Sequence, residues 1–378
     1  MANLIDYMDW RGDVTFPASE INEIDGLAFA QLAYVPFEEI IGDGKHNTIG
    51  ELADVFFKKY TDDDVAKMPE IIKTGCVIFK KMAECDRYRN LKLINYVTDF
   101  QPDVAKQFAA VTVVIDDDNY YVAYRGTDDS LAGWEEDFKA CYMMPVLSQT
   151  EAVEYLNDIM MQFHGNVYLG GHSKGGNLAI YAAVVIDAKY KDRIVRIDNY
   201  DGPGFLPEFV ESEPYKDMCG RVRTYNPQGS IVGMIMFSGG EQVIVESTGK
   251  GFMQHSGITW KVYGRHFVTC DRYEKFSENF AGINKTWIHE ISREERELAI
   301  EIVFKVLRSG FDTVTGLKEG FFSTSATIVR SYKDVDKSTR KVIGKIVSKM
   351  IRLSSESMSE KRKEKKNIAQ IMDNDVKK

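Results

Sequence analysis

The stretch with the clearest chemical content is Gly171-His172-Ser173-Lys174-Gly175. A serine hydroxyl is a poor nucleophile unless a base takes its proton as it attacks. A serine set between glycines at this spacing suits a tight, strained turn whose close neighbours must lack a Cβ. The chemistry implied is acyl transfer, with Ser173 attacking a carbonyl carbon. The flanking sequence supplies the elements such a turn requires. Val167-Tyr168-Leu169 reads as a buried strand, and residues 177–186 read as a buried apolar helix. Strand, serine, helix is the context of a nucleophile elbow. The helix would aim its first N–H groups, that of Lys174 included, at the space where negative charge develops.

A base and an orienting acid should follow the serine in the chain. Three histidines do: His255, His266 and His289. His289 sits at a helical junction and His266 among strand residues. His255 lies in a loop between strands, where a base can hang over a nucleophile, and is the candidate. His172, inside the turn, points differently from Ser173 and reads as a residue that orients the turn or lines the site. Asp201 comes right after the strand predicted over 194–200 and is the candidate acid. Its competing reading is an Asx turn before Gly202-Pro203-Gly204. Tyr124-Arg125-Gly126-Thr127 ends an earlier strand, and Thr127 is the second oxyanion-hole candidate beside Lys174. Met143, Met144, Met234, Met236 and Phe237 are candidates for an acyl pocket and are equally good core residues. Residues 128–147, with Leu131, Trp134 and Phe138, have the pattern of a mobile amphipathic lid.

The elements that must hold these groups read as α/β. Short helices are predicted over 24–34, 50–59, 64–73 and 76–84, then a hairpin of strands at 110–115 and 120–124. A helix at 149–163 leads into the turn. Strands follow at 194–200 and 221–226, and a second hairpin over 241–262. Such alternation predicts a mostly parallel central sheet flanked by helices. Asp9 to Asp13 reads as a buried Trp10 with solvated charges, and Val55, Phe56, Phe57 and Ile71 as core. From residue 284 the pattern turns helical, opening with a Ser292–Glu295 capping box. The expected organisation is a domain over 1–283, a helical C-terminal extension over 284–353 and a charged tail over 354–378.

The chain has 378 residues and a net charge of −9. Residues 337–366 hold eleven Lys/Arg against three Glu, a local +8, so the remainder carries −17. An acidic body argues against nucleic acid, while the basic helices leave a protein partner or an anionic membrane surface open. Five scattered cysteines suit free thiols in a reducing cytoplasm, and none has metal-ligand spacing. The N-terminus lacks the pattern of a secretory signal. No apolar run approaches a membrane span. A cytoplasmic location is the expectation, with no metal or cofactor.

Tyr124-Arg125-Gly126-Thr127, Gly170 to Gly176 and a histidine near a Trp resemble the class 3 (fungal-type) lipases of the α/β-hydrolase fold. Asn3 to Phe16, Tyr200 to Phe205 and Pro227 to Met234 are more similar still to the Mbeg-like bacterial family of lipase-like proteins, over roughly residues 1–270. The resemblance implies Ser173 as nucleophile, Thr127 as oxyanion donor and His255 as base. It also exposes a departure. Class 3 lipases carry their acid in an Asp-x-Val segment that aligns with Ser230-Ile231-Val232. A serine cannot balance an imidazolium, so either Asp201 substitutes or the triad is incomplete. The expected activity is cleavage of a carboxylic ester, of a small molecule or a lipid. The alternative is an inactive hydrolase-like binding or scaffold protein that works through its basic C-terminal helices.

Overall fold

Consecutive apolar residues along the central strands demand cover on both faces of a sheet. The computed structural model, which describes residues 2–41, 47–308 and 312–313, meets that demand. Seven strands form one sheet: β1 (Lys92–Gln101), β2 (Lys106–Val114), β3 (Asn119–Tyr124), β4 (Asn166–His172), β5 (Ile194–Tyr200), β6 (Val222–Pro227) and β7 (Glu241–Val245). Their order in space is their order in the chain. β1, β2 and β3 pair antiparallel, and β3 through β7 run parallel. Val111, Val113, Tyr121 and Ala123 pack toward the N-terminal helices. Their strand neighbours Phe108, Ala110, Val122 and Tyr124 pack toward the helices Leu147–Gln162 and Lys174–Val185. The fold is α/β-hydrolase-like.

Several expectations need correcting. The sequence pattern does not show β1: a bulge interrupts its pairing between Ile94 and Val97, with Asn95 at φ +51°, and that breaks the period-two signal. No hairpin spans 241–262. β7 pairs parallel with β6, and the chain then passes through 3₁₀ turns at Gly251–His255 and Gly257–Thr259, with only a Ser247–Trp260 bridge. The helices placed at 64–73 and 76–84 are a short helix Asp62–Ala66 and one long helix Glu70–Glu84. Gly75 does not break the long helix. It lets the helix approach Glu23–Leu32 so closely that a Cβ would lie 2.9 Å from the Gln31 carbonyl oxygen. Trp10 and Val55 are half exposed rather than core.

The N-terminal segment is pinned by a buried charge pair. Arg87 donates from Nε and Nη2 to Asp25 (2.8 and 2.6 Å), and the Tyr7 and Tyr88 hydroxyls donate to the same carboxylate. The remaining guanidinium N–H groups reach the carbonyls of Val14, Ser19 and Glu20. Every partner is hydrogen-bonded, the condition under which a buried ion pair is tolerated.

The boundary placed at 283/284 falls inside the helix Lys275–Glu290. A second helix, Arg293–Arg308, follows, and the capping box forms as predicted: Ser292 Oγ accepts from Glu295 N, and Glu295 accepts from Ser292 N. These helices are fastened to the body. Asn284 accepts from Met236 N (2.7 Å), Arg308 donates to Glu135 (2.9 Å), and Leu131 N donates to the Asp312 carbonyl (2.8 Å). The remaining predicted helices, the basic stretch and the tail lie outside the described residues, save Thr313. Among the described residues no helix is long and apolar enough to cross a membrane.

Candidate active site

Ser173 follows the last residue of β4 and precedes the helix Lys174–Val185, at φ +58° and ψ −133°. A non-glycine residue in this region is held there by its surroundings. Gly171 and Gly175 allow the turn: a Cβ on Gly171 would meet the Gly175 carbonyl carbon at 2.2 Å, and one on Gly175 would meet the Tyr124 carbonyl oxygen at 2.1 Å. Ser173 N donates to the Tyr200 carbonyl (2.9 Å), which ties the turn to β5.

One residue beyond β5, the buried Asp201 takes φ +52°. Its Oδ2 is 2.7 Å from His255 Nδ1. Its Oδ1 accepts from the Ser230 hydroxyl and from Gly233 N (3.1 Å). An ionised carboxylate can only accept, so His255 presents Nδ1–H to Asp201 and keeps Nε2 for the cavity side. Ser230, at the position where the resemblance puts an acid, thus steadies a carboxylate from the neighbouring strand. Its place was legible in the sequence; its partner was not.

The loop carrying His255 is held from two directions. Gln254 bonds Gly229 N and Glu274, and the buried Trp260 donates to the Gln254 carbonyl (2.8 Å). From the other side, His172 Nε2 donates to the His255 carbonyl (2.7 Å). That fixes the tautomer, leaving His172 Nδ1 to accept from the Tyr34 hydroxyl (3.1 Å). Burial, reinforced by the adjacent His255 ring, pushes the His172 imidazole down to about 3. It is therefore neutral at physiological pH.

Thr127, three residues past β3, lines the cavity with Ser173. Its hydroxyl donates to Asp137 Oδ2 (2.5 Å), so its backbone N–H is what remains to face a substrate oxygen. Lys174 begins the elbow helix. Its side chain turns into the protein, where Nζ donates to Glu136 (2.9 Å) and to the Gln107 carbonyl (2.8 Å). Glu136 also accepts from Gln107 N and Ser148 N. The segment expected to be a mobile lid is thus a helix, Leu131–Lys139, anchored through a buried carboxylate. Burial pushes the neighbouring Asp137 carboxyl up to about 6, against the pull of Lys174.

Above these groups lies a cavity of about 620 Å³ lined by Ser173, His172, His255 and Thr127. Its apolar wall includes Trp134, Phe138, Phe252, Phe280, Ile283 and Trp287. The last three come from, or lie against, the region assigned to an appendage; in fact the helix Lys275–Glu290 roofs the site. Met143, Met234 and Met236 do not line it. Met236, at φ +62°, is turned into a small core with Leu206, Ile288 and Phe304, and Met143 packs on the same core. Periodicity could not distinguish that core from a pocket wall. Among the described residues no cluster of His, Cys, Asp and Glu is arranged to hold a metal.

Comparison with known proteins gives a family and several structural likenesses. The model of the Mbeg1-like family matches residues 82–305. The match leaves out the first 81 residues and takes in the helices after residue 270, whereas the sequence resemblance covers roughly residues 1–270. Similar solved structures include a deletion mutant of the Rhizomucor miehei lipase propeptide complex, at 16% identity over 59% of this chain and 67% of that one, TM-score 0.38. A fungal lipase–inhibitor complex is similar at 16% identity over 60% and 79%, TM-score 0.36. M37 lipase is similar at 15% identity over 57% and 69%, TM-score 0.34. No curated protein matches the chain.

Proposed function

The chain belongs to the Mbeg1-like family, and we propose that it is a serine hydrolase that cleaves a carboxylic ester bearing an apolar acyl group. The observation that carries this reading is the hydrogen bond between His255 Nδ1 and the buried Asp201, formed beside a strained Ser173 on the wall of an apolar cavity. Ser173 Oγ attacks the ester carbonyl carbon while His255 Nε2 takes its proton. Asp201 holds the ring in the tautomer that makes Nε2 the acceptor and balances the imidazolium that forms. The backbone N–H groups of Lys174 and Thr127 receive the carbonyl oxygen as it gains charge. His255 returns the proton to the departing alcohol, and water, activated by the same histidine, releases the acid.

The chemistry needs no metal or cofactor in any step. The cytoplasm is the proposed location, since five free cysteines suit a reducing compartment. A fluorophosphonate probe tests the reading directly. It should label the wild-type protein and fail to label Ser173→Ala; a folded wild-type protein that never labels would overturn it.

A further inference from the structure

Beyond ester cleavage, the charges around the cavity restrict which esters can enter. Asp128, Asp129, Asp137 and Glu70 are among its lining residues, Glu70 paired with Lys73. Among the described lining residues there is no lysine or arginine. The buried Lys174 Nζ is committed to Glu136 and lies 3.8 Å from Asp137. His172 adds no positive charge, because its ring is neutral and both nitrogens are engaged. Trp134, on the same helix as Asp137, and Phe252 also line the cavity, with ring centroids 6.5 Å apart. Aromatic faces beside carboxylates favour a cation and offer nothing to an anion.

We propose that this cavity selects esters whose alcohol part is uncharged or cationic, a quaternary ammonium being the best accommodated, and excludes anionic esters. The inference rests on the hydrolase reading for turnover, but the charge preference of the cavity does not depend on catalysis. It also gives product release a direction. Hydrolysis converts a neutral ester and water into an alcohol, a carboxylate and a proton released to solvent, and the new anion is repelled by the same side chains that admitted the ester. A cavity with a largely apolar lining screens such repulsion less than bulk water does.

Two readouts separate the claims. The first is equilibrium binding to Ser173→Ala, followed by quenching of tryptophan fluorescence. Dodecyltrimethylammonium should bind at least about tenfold more tightly than dodecanoate at equal chain length. The Asp128→Asn/Asp129→Asn double variant should shrink that ratio severalfold; the amide introduced at position 128 retains an oxygen to accept from Ser130 N as Asp128 does. The second is kcat/KM of the wild type for hexanoyl esters of choline, 3,3-dimethylbutanol and 2-sulfoethanol. The first two should be hydrolysed at least about tenfold better than the third. Equal binding of the two amphiphiles, or a double variant with the wild-type ratio, overturns the charge selection whatever the turnover. Selective binding with no hydrolysis of any ester supports the charge selection and overturns the hydrolase reading instead.

Discussion

Replacing Asp201 by Asn probes the arrangement at its least expected point. The two groups on Oδ1, the Ser230 hydroxyl and Gly233 N–H, are both donors in the native site. The amide N–H of Gly233 cannot reverse its role, so it would hold the oxygen of the introduced carboxamide on that side. The NH₂ group is then forced toward His255 Nδ1, in the place of Oδ2. Two donors cannot face each other, so Nδ1 must become the acceptor and the ring proton must move to Nε2. A histidine protonated at Nε2 cannot take the serine proton. The expected loss in kcat is about 10⁴-fold, roughly 5 kcal/mol of transition-state stabilisation, the size found when a triad carboxylate is made an amide. The assay is p-nitrophenyl ester hydrolysis normalised to active sites titrated by fluorophosphonate, with thermal melting as a check on folding. A folded Asp201→Asn protein within about threefold of wild-type turnover would remove Asp201 from the mechanism and refute the tautomer argument.

Other perturbations follow from the same geometry. Ser230→Ala removes one donor from a buried carboxylate; a hydrogen bond to a charged group is worth about 1.5–3 kcal/mol, so kcat/KM should fall roughly 10- to 100-fold, and an unchanged value would mean that Ser230 does not steady Asp201. Arg87→Leu leaves Asp25 buried with its two tyrosine donors but no cation, which should cost about 3–5 kcal/mol in urea unfolding; a loss below about 1 kcal/mol would contradict the pinning role. Asp137, raised to about 6 against an ordinary value of 3.8, binds more protons in the folded than in the unfolded state between those values. Stability therefore declines as pH rises through that window. Asp137→Asn, a mimic of the protonated form, should be more stable than wild type at about pH 8 by up to about 3 kcal/mol and indistinguishable near about pH 3; the same increment at both pH values would be the failing result.

Much of the chemistry was legible in the sequence because it is local. The elbow needs glycines at fixed offsets from Ser173, a strand before and a helix after, all within one short stretch, and those requirements leave a mark that periodicity and composition reveal. β5 likewise shows itself at full length, and Asp201 can be nominated because it comes right after that strand. What the sequence left open was set by contacts between distant segments. Whether Asp201 only began a turn or backed His255 depends on where a loop 54 residues away comes to rest. That loop is placed by Trp260, Gln254 and His172. The methionines stay ambiguous in the sequence for the same reason, since an apolar side chain carries no sign of whether it faces a cavity or a core.

The sequence by itself determined the tight turn at Ser173, the parallel sheet and the short list of candidate bases, because backbone strain and strand burial act on neighbours. Only the tertiary structure decided which carboxylate serves the histidine, that Ser230 supports it, and that the helix Lys275–Glu290 roofs the cavity rather than trailing from it. Those outcomes depend on hydrogen bonds and packing between segments far apart in the chain, which no local pattern encodes.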